Sequence, residues 1–262
     1  GYESSYYGSD VLEAGNGYWL VFTNDGSADI SGEAITNLTI SLSEGWNLIA
    51  GISSSVAVES ISDPGDIIVS GTIYGYGGSY YNADAIEPGK GYWINASADG
   101  EITLSSTVLV TKTLAQINHL EGSNELDFNN GKYSAIIYFG KEVADEHKNS
   151  YSLPPTFPQM AFDVRFNGDM KYIVESGDIE VLNTSDNLTI CHDIVIDAGV
   201  HMNWVLSSSR GEEYIIEGKV VDLDKKKPLI GVNIVSEKNA TATDQDGYYR
   251  FSFTSDTLLT FT

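Results

Sequence analysis

One short stretch of the chain combines side chains that are able to ligate a metal ion: Cys191, His192 and Asp193, with His201 nine residues after His192. Structural zinc sites need ligands that converge, and most of them contain two or more cysteines. Successive side chains of a strand point to opposite sides, so His192 would face away from Cys191 and Asp193. The pattern favours a buried cysteine beside surface polar groups, and we predict no metal site here.

Two acidic turns contain oxygen ligands of the kind that calcium prefers. They are Asp244-Gln245-Asp246-Gly247 and Asn24-Asp25-Gly26 with Asp29. Neither is followed by the further ligands and the bidentate glutamate of an EF-hand loop. Asx and glycine residues in this order are typical of tight turns. We therefore predict no cofactor, and calcium binding by these two turns stays the alternative.

Sequence signatures of catalysis are absent. The chain has no Gly-x-Ser-x-Gly elbow, P-loop, Gly-x-Gly-x-x-Gly or His-Glu-x-x-His, and its four histidines occur in unrelated contexts. A sequence alone never excludes a pair of glycosidase carboxylates, but no segment here is long enough for a barrel-type catalytic domain. We predict that the protein is not an enzyme.

Aromatic residues are the remaining candidates for binding, since the chain has 16 Tyr and 4 Trp. The candidate ligand or packing platform consists of Trp19, Tyr76, Tyr80, Tyr81 and Trp93. Neighbouring Tyr and Trp residues on a strand face opposite sides, so one ring of each pair is expected in the core while the other can be exposed. The simpler interpretation is packing on both sides of a thin sheet, and the alternative is a surface on which sugar rings stack.

These aromatic residues belong to an internal repeat. Residues 1–19 align without a gap on residues 75–93, and 11 of the 19 positions are identical. The second copy has an upstream half, from about 35 to 61, that the first copy lacks. We therefore expect the first residue to lie inside a module whose opening strands are missing from this sequence.

Short strands separated by turn residues run through the whole chain. Asn129-Asn130-Gly131-Lys132 predicts a hairpin, and residues 141–150 are the only helix-like stretch. The prolines of residues 153–158 require an extended segment outside any central strand. We predict an all-β protein of tandem small β-sandwich or β-rich modules, with both terminal modules incomplete.

Four segments follow from the repeat and from changes in composition. Residues 1–34 are the C-terminal part of a first repeat module, and residues 35–105 are a complete second module. Residues 106–214, in which lysines become frequent, form a sandwich-like middle domain. Residues 215–262 form a partial β-sandwich of about five strands, which is small for independent stability.

The charge of the chain limits its partners. It has 37 acidic and 14 basic residues, for a net charge of −23, and residues 1–105 contain Lys90 as their only basic residue. Such a polyanion repels phosphate backbones and anionic membrane surfaces, and no apolar run approaches the ~18 residues of a membrane helix. We predict neither nucleic-acid binding nor membrane insertion. The single cysteine excludes an internal disulfide.

The last segment carries three motifs: residues 218–222 (GKVVD), 228–234 (PLIGVNI) and 241–249 (TATDQDGYY). Together they resemble the carboxypeptidase regulatory-like domain, a transthyretin-like β-sandwich of surface and outer-membrane proteins in Bacteroidetes-type bacteria. The resemblance covers about 48 residues and implies an exported, non-catalytic module. Members of that family continue with further strands beyond the LTFT-like strand at which this sequence stops.

Two further motifs resemble parts of large secreted bacterial proteins. The GWNLI of residues 45–49 with the EPGKGYWI of residues 87–94 looks like a repeat of such proteins. Residues 152–166 resemble an LPP…FDVRF segment of the same multidomain class, often near a sorting domain for outer-membrane secretion. Neither motif carries catalytic residues. The resemblances imply a secreted protein at a bacterial cell surface.

We therefore expect a non-catalytic structural or adhesive protein of serial β modules. It would associate with itself or with other domains of a surface protein, and assemble head to tail by strand complementation into a filament. The possible inter-subunit strand contains Leu258, Leu259 and Phe261. The alternatives are a carbohydrate-binding accessory region of a secreted hydrolase, with glycans as partners, and a fragment of a giant surface protein.

Overall fold

The computed structural model describes residues 2, 5–20, 24, 32–106, 118–157, 160–174, 179–183, 189–191, 194–196, 202–206, 213–222, 227–235, 240–254 and 257–261. The chain forms two compact units, Gly1–Ile117 and Asn118–Thr262. Strands dominate both units, and the described residues contain one α-helix, of four residues. The prediction of an all-β fold is confirmed, whereas the sandwich arrangement of its sheets stays a prediction.

The described part of the first unit contains eight strands: β1 (Asn37–Leu42), β2 (Gly45–Ala50), β3 (Val56–Ala57), β4 (Tyr74–Tyr76), β5 (Tyr80–Asn82), β6 (Ala85–Ile86), β7 (Gly91–Ala96) and β8 (Gly100–Ser105). β2, β7, β4 and β5 are neighbours in that order in an antiparallel sheet. β1 pairs with β8 and β3 pairs with β6, both antiparallel. A single 3-10 turn, Val58–Ser60, follows β3.

One hydrophobic core holds the first unit together. Strand alternation directs one set of side chains inward, such as Ile40 and Leu42 of β1 and Ile102 and Leu104 of β8. Ile94 of β7 belongs to the same buried cluster. The sheet around β2 and β7 and the pair β1–β8 therefore contribute to the same core. The buried members of this core all lie between residues 40 and 104.

The described part of the second unit contains thirteen strands: β9 (Asn124–Asn129), β10 (Ser134–Phe139), β11 (Phe162–Phe166), β12 (Tyr172–Ile173), β13 (Ile179–Asn183), β14 (Thr189–Cys191), β15 (Ile194–Ile196), β16 (Met202–Leu206), β17 (Glu213–Asp222), β18 (Asn233–Val235), β19 (Ala240–Ala242), β20 (Tyr248–Thr254) and β21 (Thr257–Phe261). Helix α1 (Asp145–Lys148) falls in the predicted helix-like stretch of residues 141–150, and the 3-10 turn Asn149–Tyr151 extends one residue beyond it.

The largest sheet of the second unit has the order β12, β10, β9, β14, β17 and β15, and β20 also pairs with β17. β9 and β10 form the predicted hairpin, with Asn129 opposite Ser134. The Asn130 side chain accepts hydrogen bonds from the N–H groups of Lys132 (3.1 Å) and Tyr133 (2.9 Å). Gly131 has a φ of 86°, a backbone conformation that glycine adopts without strain. The Asn-Gly sequence thus specifies the turn.

The five strands expected in residues 215–262 are all present, but they belong to two sheets. β17 and β20 lie in the largest sheet, while β18, β19 and β21 join β16 in a sheet of order β16, β21, β18 and β19. β17 itself begins at Glu213 and ends at Asp222. The boundary that we placed between residues 214 and 215 therefore falls inside a strand. Both sheets also contain strands from the segment before it.

The prolines after helix α1 lie where extended chain was predicted. Residues 153–157 belong to no strand, and the chain then enters β11, whose five residues are all buried. β11 pairs antiparallel with β13. Residues 107–117, in the first part of the predicted middle domain, lie outside the described residues. Among the residues that are described, no helix has the length and apolar character needed to cross a membrane.

Candidate functional site

The turn that precedes β7 is built from the Glu-Pro-Gly-Lys-Gly-Tyr sequence of the second repeat copy. Gly89 has a φ of 71°, which a residue with a side chain rarely adopts. The backbone N–H of Glu87 donates to the hydroxyl oxygen of Tyr92 at 3.0 Å. Tyr92 is only 1% exposed, and burial raises the pKa of its hydroxyl. Tyr92 therefore has a structural role, since its buried hydroxyl accepts a backbone hydrogen bond of the turn.

The first repeat copy forms the same turn. Gly15 has a φ of 89°, and the N–H of Glu13 donates to the hydroxyl oxygen of Tyr18 at 3.1 Å. The N–H of Asn16 also donates to the carbonyl oxygen of Glu13 at 3.3 Å. The sequence alignment of the two copies is thus matched by one local structure, in which a tyrosine hydroxyl binds the backbone five residues earlier.

The first copy pairs with strand β2, which belongs to the second copy's module. The Gly17 N–H donates to the Leu48 carbonyl oxygen at 2.8 Å, and the Ala50 N–H donates to the Gly15 carbonyl oxygen at 2.9 Å. β2 pairs with β7 through the intervening residues, Ile49 lying opposite Tyr92. Strand β2 therefore lies between equivalent segments of the two repeat copies.

Gly17 lies too close to β2 to tolerate a side chain. A Cβ atom at this position would be 2.6 Å from the Ile49 carbonyl oxygen and 2.7 Å from the Leu48 Cγ. The equivalent glycine of the second copy, Gly91, has room for a Cβ atom, whose nearest neighbour would be the Ile49 oxygen at 3.7 Å. The close approach of the backbone to β2 is thus found at Gly17 of the first copy and not at the equivalent Gly91 of the second copy.

Rings of the first copy also pack on rings of the second. Trp93 lies on the side of β7 opposite Tyr92, and the Tyr2 ring meets it edge-on at a centroid distance of 4.7 Å. The Tyr6 ring lies 6.4 Å from Trp93, and the Trp19 ring lies 4.9 Å from Tyr76. Trp93 is 1% exposed. Both Tyr92 and Trp93 are therefore buried, because the first copy covers the side of β7 that strand alternation allowed to be exposed.

Four of the five predicted platform residues line one cavity of about 160 Å³: Trp19, Tyr76, Tyr81 and Trp93. Tyr18, Tyr74 and Lys90 line it as well. Tyr80, the fifth predicted residue, packs against Tyr74 and Tyr76 at centroid distances of 6.3 and 5.7 Å. The structure thus brings the predicted aromatic residues together, and the cavity that they form takes residues from both repeat copies.

Tyr81 is the most accessible of these rings. It is 44% exposed, and its ring lies over Gly75, where a Cβ atom would be 2.5 Å from the tyrosine hydroxyl oxygen. The glycine at position 75 therefore provides the space that the ring occupies. Tyr81 lies opposite Gly75 in the register of β4 and β5.

Sequence reasoning overlooked several residues of this cluster. Tyr2, Tyr6 and Trp46 all pack against Trp93, and Lys90 lines the cavity. A signal for Trp46 was present, since alternation in Gly45–Ala50 places it on the same face as Leu48. The contacts of Tyr2 and Tyr6 carry no comparable local signal, because they join residues far apart in the sequence.

Within the described residues, the proposed inter-subunit strand is paired along its whole length on one side and at Thr260 and Phe261 on the other. Leu258, Leu259 and Phe261 lie in β21, which pairs with β16 along all five residues. It also pairs with β18, Phe261 lying opposite Ile234. An inter-subunit role for these three residues stays a prediction.

The structure gives Cys191 different neighbours from those in the sequence. The register of β14 places it opposite Asp127 of β9 and Glu217 of β17. Burial raises the pKa of the Asp127 carboxyl. His192, Asp193 and His201 lie outside the described residues. Within the described part of the chain, no three His, Cys, Asp or Glu side chains are grouped so that they could hold a metal ion.

The acidic turn at Asp244 is organised by its own backbone. One carboxylate oxygen of Asp244 accepts the N–H groups of Asp246 and Tyr248, both at 2.9 Å. This is the arrangement of an Asx turn, and it leaves the calcium hypothesis as a prediction without a ligand set. Asp25 and Asp29 of the other acidic turn lie outside the described residues.

Two cations of the second unit, the buried Arg165 and the half-buried Lys171, have no counterpart among the predicted sites. Arg165 of β11 is 1% exposed, and its Nε donates to Asp163 at 2.5 Å while its Nη1 donates to Asp169 at 2.7 Å. Burial opposes its charge, but these two carboxylates outweigh the burial and raise the pKa of Arg165. Burial lowers the pKa of Lys171 to about 8.

No protein-family model matches the chain, and neither a curated protein nor a solved structure is significantly similar to it. The resemblances to the carboxypeptidase regulatory-like domain, to the GWNLI and GYW repeat and to the LPP…FDVRF segment therefore rest on their sequence motifs. They stay predictions, as do the secretion and the surface location that they imply.

Proposed function

We propose that the chain is a non-catalytic structural protein of serial β modules, which acts at a bacterial cell surface. One observation carries this proposal: the first repeat copy adds its own backbone to the edge of a strand in the second copy's module. Backbone pairing of this kind gives affinity that depends little on side chains. It suits a protein whose repeats must hold to one another in series.

The side chains at this contact support a mechanical role. The first copy contributes backbone hydrogen bonds from Gly15 and Gly17 and ring contacts from Tyr2, Tyr6 and Trp19. Aromatic pairs add to the apolar area that they bury. The two copies are thus joined by a strand edge and by a set of buried rings, and separating them requires both to break.

The surface location is supported by composition and by motifs. The strong excess of acidic residues would keep an exported protein soluble, and the motifs described above resemble those of secreted bacterial proteins. Antibodies against the purified chain should label intact cells of the source organism. Labelling only after the cells are lysed would contradict this part of the proposal.

The structural role is tested by pulling the full chain from its two ends in a single-molecule force experiment. Gly17→Val places a side chain against the Ile49 carbonyl oxygen, so we expect the force that separates the two copies to fall to the level of the noise. The core of the unit should survive, because its buried members lie between residues 40 and 104.

Gly8→Val is the matched control, because a Cβ atom at Gly8 would have no other atom within 4 Å. This variant should rupture at the same force as the wild-type chain. If Gly17→Val and the wild type rupture at equal forces, the docked segment bears no load and the structural proposal is wrong.

A further inference from the structure

We propose that the aromatic cavity between the two repeat copies binds a single ring of a neutral hexose. This inference goes beyond the structural role, because a ligand can bind whether or not the protein is under load. Tyr18 and Trp19 come from the first copy, and Tyr74, Tyr76, Tyr81 and Trp93 come from the second. The site therefore exists only where the two copies are docked.

The lining of the cavity suits a sugar. Six aromatic side chains and Leu48 provide apolar surface against which the C–H face of a pyranose ring packs. Ligand sites combine such surface with a few polar groups that fix orientation. Here Lys90 supplies an ammonium group, which donates hydrogen bonds and accepts none.

A buried donor belongs to one of the residues that line the cavity. Trp93 lines the cavity, and its indole N–H is buried without an acceptor among the described residues. Buried donors are nearly always satisfied in folded proteins. This N–H exposes less than 1 Å² to solvent, so a sugar hydroxyl would reach it only after the neighbouring rings move.

Size and charge narrow the ligand further. The cavity volume of about 160 Å³ is below the ~300 Å³ at which sites for drug-sized ligands begin, so it accommodates one ring and not a chain of several. The net charge of −23 repels acidic sugars as they approach. The expected ligand is therefore a neutral monosaccharide or the terminal residue of a neutral glycan.

The site binds and does not cleave. Hydrolysis of a glycosidic bond ordinarily uses two carboxyl groups on either side of it. Among the described residues that line the cavity there is no Asp or Glu. Bound sugar is therefore expected to leave unchanged.

The test starts with the full chain on a printed array of neutral and acidic glycans. The best neutral glycan is then titrated as its methyl glycoside, with binding followed by calorimetry. Tyr81→Ala removes the most accessible ring of the cavity and should weaken binding at least tenfold. Lys90→Ala, on an exposed side chain, should weaken it by a smaller factor.

Tyr7→Ala is the matched control, since Tyr7 is 43% exposed against 44% for Tyr81 and does not line the cavity. Its affinity should equal that of the wild type. The proposal is overturned if no neutral glycan binds, if only acidic glycans bind, or if Tyr81→Ala and Tyr7→Ala bind equally well. Melting curves of each variant show whether the fold is intact, and Lys90→Ala decides the matter if Tyr81→Ala unfolds.

Discussion

Arg165 shows how one residue reveals the constraints on a buried strand. It occupies the fourth position of β11, whose five residues are all buried, and its charge is matched by two carboxylates in different environments. The side chain of Asp163 is 7% exposed and that of Asp169 is 64% exposed. Charge pairs in these two settings differ in their effect on stability, because burial removes the water that would otherwise solvate the charge.

We predict that Asp163→Asn destabilises the protein by about 3 kcal/mol, because it leaves the buried guanidinium without its inner partner. Asp169→Asn should cost less than about 1 kcal/mol, as is usual for exposed ion pairs. Both free energies are measured by urea unfolding of the full chain. Equal effects of the two substitutions would show that Asp163 is not the partner that compensates the buried charge.

At the scale of single elements, the repeat turn forms in the same way in two different surroundings. The turns at Glu13 and at Glu87 contain the same hydrogen bond to a tyrosine hydroxyl, although one lies in the first copy and the other leads into β7. Local sequence therefore determines the turn, through a glycine with positive φ and a tyrosine five residues after the glutamate.

The hydrogen bond to the tyrosine hydroxyl is partly buried in the turn at Glu87 and exposed in the turn at Glu13. Removing the hydroxyl should therefore affect stability differently at the two turns. We predict that Tyr92→Phe destabilises the protein by about 1 to 2 kcal/mol, since the Glu87 N–H is partly buried and loses its acceptor. Tyr18→Phe should lower the free energy of unfolding by less than about 0.5 kcal/mol, because the exposed Glu13 N–H can form a hydrogen bond with water instead. Chemical unfolding of both variants gives the comparison. A larger loss for Tyr18→Phe would contradict this account.

Features that depend on residues close together in the sequence could be predicted, and contacts between distant residues could not. Alternation along Gly91–Ala96 places Tyr92 and Trp93 on opposite sides, and Asn-Gly specifies the hairpin at residues 130 and 131, because both depend on neighbours in the chain. The burial of Trp93 by Tyr2 and Tyr6 depends on residues about 90 positions away. Contacts between residues so far apart leave no local sequence pattern. Trp93 is therefore buried, although alternation along the strand alone allowed its ring to be exposed.

At the scale of the molecule, the chain divides into two compact units, Gly1–Ile117 and Asn118–Thr262, and the four predicted segments stay a prediction. The first unit contains both repeat copies, and its core is formed by residues between 40 and 104. The second unit joins the predicted middle domain to the last segment, because β17 pairs with β14 and β15 from the former and with β20 from the latter. Residues 215–262 thus share their sheets with strands from the segment before them.

This division predicts how the chain can be cut. Fragments 1–117 and 118–262 should each fold and melt as they do in the full chain, because each contains its own buried cluster. The fragment 118–214 lacks the buried residues that the last segment adds to the cluster of Ile190, such as Ile216 and Phe251, so it should not melt cooperatively. Circular dichroism and calorimetry of the three fragments test this. Cooperative melting of residues 118–214 alone would contradict this expectation and support the predicted boundary at 214, because the middle domain would then fold without the strands of the last segment.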